Sequence, residues 1–164
     1  MAPENALSGP SDPIILERAL SFANEAMFTL DLQWRRVHTE EPNDRVFPMR
    51  VFADLYFFIV TLQRLRRAVT LACHIESKAA ELRAALEEFD RSLPVLKVMR
   101  NVGEHFDEYA RDGARRRHRE VDRRSLQVGT WDGTSYQWLD QTMDLRAARE
   151  AARHLYAALR RAAD

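Results

Sequence analysis

The chain has 164 residues, 46% of them apolar and 30% charged, and its formal net charge is zero. That size and composition suit one globular domain and exclude a disordered chain. Five glycines argue against a turn-rich sandwich, and a single cysteine, Cys73, excludes an internal disulfide and fits a reducing cytosol.

Residues 1–12 read as a loose polar tail with no apolar leader behind it. Residues 13–164 read as one helical domain. Asp12-Pro13 pairs a cap with proline at the first helical position. Ile15, Ala19, Phe22, Ala26 and Leu30 then recur at helical spacing as far as about Val37. Glu41-Pro42-Asn43-Asp44 signals a turn.

Pro48 opens a second helix. Phe52, Leu55, Ile59, Leu62, Arg66 and Val69 follow one side of it, widened by Tyr56, Phe58 and Leu65, as in a central helix. The apolar run from Val51 to Leu62 is too short to cross a bilayer. Cys73 lies in apolar surroundings and reads as a small core side chain.

Ser77 can cap a third helix carrying Leu82, Leu86 and Phe89. Pro94 breaks it, because proline removes a helical hydrogen bond. A fourth helix is expected from Pro94 to about Asp112, closed by Gly113. Beyond the arginine-rich stretch that follows, Leu126, Val128 and Thr130 alternate with polar residues. Asp132-Gly133 is a turn dipeptide, and Tyr136 and Trp138 continue on the far side, so a β-hairpin is expected. Asp144 can cap the last helix, whose buried face is Leu145, Ala148, Ala152, Leu155, Tyr156 and Leu159. The expected fold is mainly α: an antiparallel four- to five-helix bundle with a short β-hairpin before the last helix.

The fourth helix carries the densest set of functional groups. Val95, Val98, Met99, Val102, Phe106 and Tyr109 form its apolar stripe. Arg100 and Glu104 are spaced to pair on its surface, and Asn101 is spaced to reach His105. Arg100 and His105 stand about 140° apart around the helix and can border one cleft without touching. A charged helix face of this kind is also read as solvated and structural, with Glu104 neutralising Arg100.

Arg100-Asn101 followed by His105 resembles the Arg-x4–6-His motif of HEPN domains, including the polar residue after the arginine. The resemblance covers residues 13–164, with helices before the motif and one after it. It implies a metal-independent endoribonuclease of the toxin or defence class, with Arg100 and His105 catalytic and Asn101 and Glu104 supporting. It also implies a homodimer whose motif helices face each other, and an antitoxin or partner protein on a separate chain. Other HEPN domains are inactive, so a non-catalytic dimerisation or partner-binding module is the alternative. The hairpin is not a general feature of the family.

Arg111 to Arg124 holds seven arginines against three acids (Asp112, Glu120 and Asp122), a local net charge of +4. Arg111, Arg115, Arg116, Arg117 and Arg119 are candidates to track RNA phosphates; a solvated loop is the other reading. His38, His74 and His154 lack metal-ligand spacing. No metal, cofactor or membrane contact is expected, and the location expected is cytoplasmic.

Overall fold

The computed structural model describes residues 9–111 and 118–164. The expected Gly113 cap and three candidate RNA contacts, Arg115, Arg116 and Arg117, lie outside the described residues. The fold is mainly helical, with a small antiparallel sheet before the last helix. Its elements are α1 (Asp12–Val37), α2 (Met49–Ala72), α3 (Glu76–Ser92), α4 (Leu96–Glu104), α5 (Phe106–Tyr109), β1 (Thr130–Trp131), β2 (Ser135–Trp138), β3 (Gln141–Asp144) and α6 (Leu145–Ala163). Among the described residues no helix is long and apolar enough to cross a membrane.

α1 and α2 form the largest helix contact. They run antiparallel, as ion pairs at both ends show: Arg36 to Asp54 at 2.8 Å and Arg64 to Glu25 at 2.9 Å. α1 buries Ala19, Ala23, Ala26 and Leu30 on one stripe, and small residues there let α2 come close. Phe22, expected on that stripe, is 52% exposed. α2 is central, with Leu55, Phe58, Ile59, Leu62 and Leu65 essentially solvent-free. Burying each such side chain contributes about 1.5–3 kcal/mol. α3 packs on α6 through faces that include Leu82, Phe89, Leu155 and Leu159.

The caps follow local chemistry. Ser11 is the N-cap of α1, one residue before the Asp12 expected there, and proline occupies its first turn. α3 begins after Ile75 with no side-chain cap, so Ser77 does not serve as one. Asp144 caps α6 as its sequence position implies, accepting from the Ala147 N–H at 2.7 Å. An Asp54 carboxylate with only 5% of its side chain exposed meets Arg36 and Arg50, and Arg50 also binds Asp44 in the short 3₁₀ turn Pro42–Arg45.

The fourth helix does not run unbroken to Asp112: it stops at Glu104, His105 turns at φ −122° and ψ 32°, and α5 is one short turn beyond it. Phe106, expected in the apolar stripe, is therefore 64% exposed. The hairpin is in fact a three-stranded meander in the order β1-β2-β3. Leu126 belongs to a 3₁₀ turn (Arg123–Leu126) and Val128 is exposed, so pairing begins only at Thr130.

The first connection is the expected one. Gly133 takes φ 94°, and Asp132 Oδ1 accepts from the Thr134 and Ser135 N–H groups at 2.8 and 2.7 Å. The second connection is Leu139-Asp140, with φ of 56° and 57°, the positive values a two-residue hairpin turn demands. Leucine adopts that backbone at a cost, which its burial against Val102, Tyr109 and Val121 offsets.

Candidate functional site

α4 positions the site. Its apolar side, Leu96, Met99 and Val102, is buried. Gly103 brings it close to α2: a Cβ there would stand 2.6 Å from the Tyr56 ring. The polar side then carries Lys97, Arg100, Asn101 and Glu104 along the rim of α2.

Arg100, with 14% of its side chain exposed, forms an ion pair with Glu104, as the sequence spacing implies. Its Nη1 also donates to Asn101 Oδ1 at 2.9 Å. Burial first, and then the Glu104 carboxylate, push the Tyr56 phenol above its usual range. Asn101 is 5% exposed, and its carboxamide nitrogen meets His118 Nε2 at 3.2 Å. The expected Asn101–His105 contact is thus replaced by an Asn101–His118 contact.

His118 was not singled out in the sequence. Its imidazole has 15% of its surface exposed, its Nδ1 lies 3.2 Å from Glu120 Oε1, and its backbone N–H donates to the Tyr109 hydroxyl at 3.3 Å. The chain Glu104–Arg100–Asn101–His118–Glu120 is thereby continuous. A guanidinium only donates, so Arg100 fixes the amide oxygen toward itself and the amide nitrogen toward His118. An NH₂ group only donates, so Nε2 accepts and the neutral ring carries its proton on Nδ1, facing Glu120.

His105 stands apart from this chain, and it is not among the residues lining the cleft that Arg100 borders, contrary to the expectation of one cleft bordered by both. It ends α4, its N–H donates to the Asn101 carbonyl at 3.0 Å, and 52% of its side chain is exposed. Its Nδ1 is 3.7 Å from Glu108 Oε1. Arg111 and Arg119 are exposed.

On the other side of Arg100 lies a cleft of about 430 Å³ between α2, the α3–α4 turn and α4. Gln63, Arg66 and Arg67 line one wall, and Lys97, Arg100 and Asn101 the other. Both walls show the same i, i+3, i+4 spacing, which puts each trio on one helix face. Arg66 is held by a two-point pair with Asp90, at 2.6 Å for both contacts, which raises its pKa further. Arg67 and Lys97 are exposed and have no ion-pair or hydrogen-bond partner among the described residues.

Cys73 is half-buried, and burial pushes its thiol up, away from a nucleophilic thiolate. Among the described residues no three His, Cys, Asp or Glu side chains gather as a metal site requires. Trp131 and Trp138 pack against the edge of the core as covering residues.

Comparison with known proteins gives no relative. No family model, no curated protein and no solved structure matches the chain. The resemblance to HEPN domains rests on Arg100, Asn101 and His105 and on their place in the order of helices.

Proposed function

We propose that the chain is a metal-independent endoribonuclease of HEPN type, a cytoplasmic homodimer of the toxin or defence class with its bundle helices arranged as in that superfamily. One observation carries this reading: α4 presents Arg100 to a cationic cleft and leaves His105 accessible at its exposed end, beside that cleft's lining. The RNA supplies its own nucleophile. A neutral imidazole takes the 2′-hydroxyl proton, the 2′-oxygen attacks phosphorus, and the 5′-oxygen leaves with a proton from an acid. The products are a 2′,3′-cyclic phosphate and a 5′-hydroxyl. Arg100 supports the extra charge on the phosphorane oxygens once Glu104 yields its place. An antitoxin or partner protein would be a separate chain.

The test is cleavage of RNA by the purified protein and by His105→Ala. The variant is expected to lose roughly a hundred- to ten-thousandfold. Undiminished cleavage by His105→Ala would overturn the mechanism. The Arg100–Glu104 pair favours a second reading, a non-catalytic dimerisation or partner-binding module, in which Arg100 is already neutralised. Absence of cleavage by the wild type supports that reading.

A further inference from the structure

We propose that the cleft between α2 and α4 is a phosphate-binding subsite, taking the backbone phosphates of a nucleic-acid strand through Arg66, Arg67, Lys97 and Arg100. The proposal deepens the reading above by giving the strand its anchor, but its test does not depend on cleavage.

Four cations line the cleft against Asp90, and Glu104 pairs with Arg100 from beside it, so the two carboxylates leave two positive charges over in a chain of zero net charge. Its remaining lining includes Leu93 and Leu96, which are 6% and 3% exposed. Low-dielectric walls of that kind focus the field of the surrounding charges onto an anion.

The cations divide into two kinds. Arg66 and Arg100 are oriented, one by Asp90 and the other by Glu104 and Asn101. A guanidinium already held in place loses little freedom when it also meets a phosphate oxygen. Arg67 and Lys97 are exposed, and no partner within the described residues competes for them. Opposed across the cleft, they are free to close on a phosphate from both walls. Asn101 and Gln63 add neutral amides that donate to a phosphate or a ribose hydroxyl. At about 430 Å³ the cleft has the volume of a small-molecule site, enough for one nucleotide unit of a strand.

The experiment uses the full chain and a fluorescein-labelled 2′-O-methyl oligoribonucleotide, which has no 2′-hydroxyl to react, so binding is read separately from cleavage. Anisotropy titrations over a salt series compare the wild type, Arg67→Gln/Lys97→Gln, and Arg160→Gln in α6. Both cleft residues are exposed and unpaired among the described residues, so the double variant should fold, as a melting curve will show. It should bind roughly tenfold more weakly at low salt, with the log–log salt slope flattened by about 1.4, as expected for two lost phosphate contacts to a single strand. Arg160→Gln should match the wild type. Equal binding by the double variant and the wild type would overturn the proposal, as would a wild type that fails to bind the strand at low salt. Adenosine monophosphate serves as competitor. If it binds as tightly as the strand and loses as much in the double variant, the phosphate site stands with a free nucleotide as its occupant.

Discussion

Asn101 and His118, seventeen positions apart, share a hydrogen bond of 3.2 Å that ties the motif helix to the arginine-rich segment. Arg100 holds the amide oxygen at 2.9 Å and so orients Asn101, while the Nδ1–H tautomer of His118 is favoured from both sides, by the Asn101 NH₂ group at Nε2 and the Glu120 carboxylate at Nδ1.

The first prediction concerns that relay. Long-range ¹⁵N–¹H correlation on the neutral protein should show His118 as the Nδ1–H tautomer. In Arg100→Ala/Glu120→Ala neither the amide nor the Nδ1 proton is held, and signals of both tautomers should appear. An Nε2–H tautomer in the wild type would mean that the amide faces the other way and that Arg100 does not orient it.

Legibility divided along local and non-local lines. Pro13, the Asp132-Gly133 turn and the Asp144 cap act on their own neighbours, and each was readable from the sequence. The stop at His105 was not, since no residue from Arg100 to Glu108 breaks a helix except weakly Gly103. The Leu139-Asp140 turn was hidden for a related reason: its positive φ values are imposed by the packing of Leu139, against the preference of leucine itself. The spacing of Arg66 puts it on the apolar stripe of α2, whereas it faces Asp90 and the cleft. The i, i+3, i+4 polar trios at Gln63 and Lys97 carry no local signal of a partner. Their meeting across a cleft depends on how α4 sits on α2. No local pattern marks His118, because its partner, Asn101, comes from another element.

A second prediction is that cleavage persists in excess EDTA. The proposed chemistry needs an imidazole and a guanidinium, and no carboxylate–histidine cluster is found among the described residues. Complete loss of activity in EDTA, restored by magnesium, would refute the metal-independent mechanism.

Acid stability gives a third. Hydrogen bonding from Arg50 holds the Asp44 carboxyl below its usual range, and the Ser135 and Thr134 N–H groups do the same for Asp132. For a depressed carboxyl, the stabilisation is complete above the unfolded value, about 3.9 for aspartate, and is lost as pH falls through the lower folded value. Melting temperature should therefore fall below about pH 4. Asp44→Asn/Asp132→Asn should melt lower at neutral pH and show a shallower acid limb. Parallel acid limbs in variant and wild type would remove these two groups from the account.

A fourth prediction tests the buried pair beneath the α1–α2 hairpin. Asp54→Ala leaves Arg36 and Arg50 without their shared carboxylate. Breaking a fully buried pair costs about 3–5 kcal/mol; with Arg36 45% exposed, the expected loss is nearer 2–3 kcal/mol. A loss below about 0.5 kcal/mol in denaturant unfolding would make this an ordinary surface pair.

The last prediction asks how many chains make the active unit. The proposed reaction needs a base for the 2′-hydroxyl and an acid for the leaving 5′-oxygen. With His105 as the only participating imidazole, two chains must meet, and the proposed dimer places their motif helices across a two-fold axis. Phe106, next to His105 and 64% exposed, would then be covered by the partner. Light scattering should show a dimer at micromolar concentration, and Phe106→Ser should weaken it and lower cleavage with a strong dependence on protein concentration. His118 offers the contrasting arrangement, because Asn101 brings this second imidazole to the motif within one chain. If His118 supplies the missing acid or base, His118→Ala should match the loss in His105→Ala, while a monomer retains full activity per chain. A dimer with active His118→Ala means that His105 of both chains makes the site; where His118→Ala is inactive, mixing it with His105→Ala tells whether the two imidazoles come from two chains or one. Activity restored by mixing means that two chains share one site. If each variant stays inactive alone and in the mixture, both imidazoles serve from the same chain. A strict monomer with active His118→Ala would count against both arrangements.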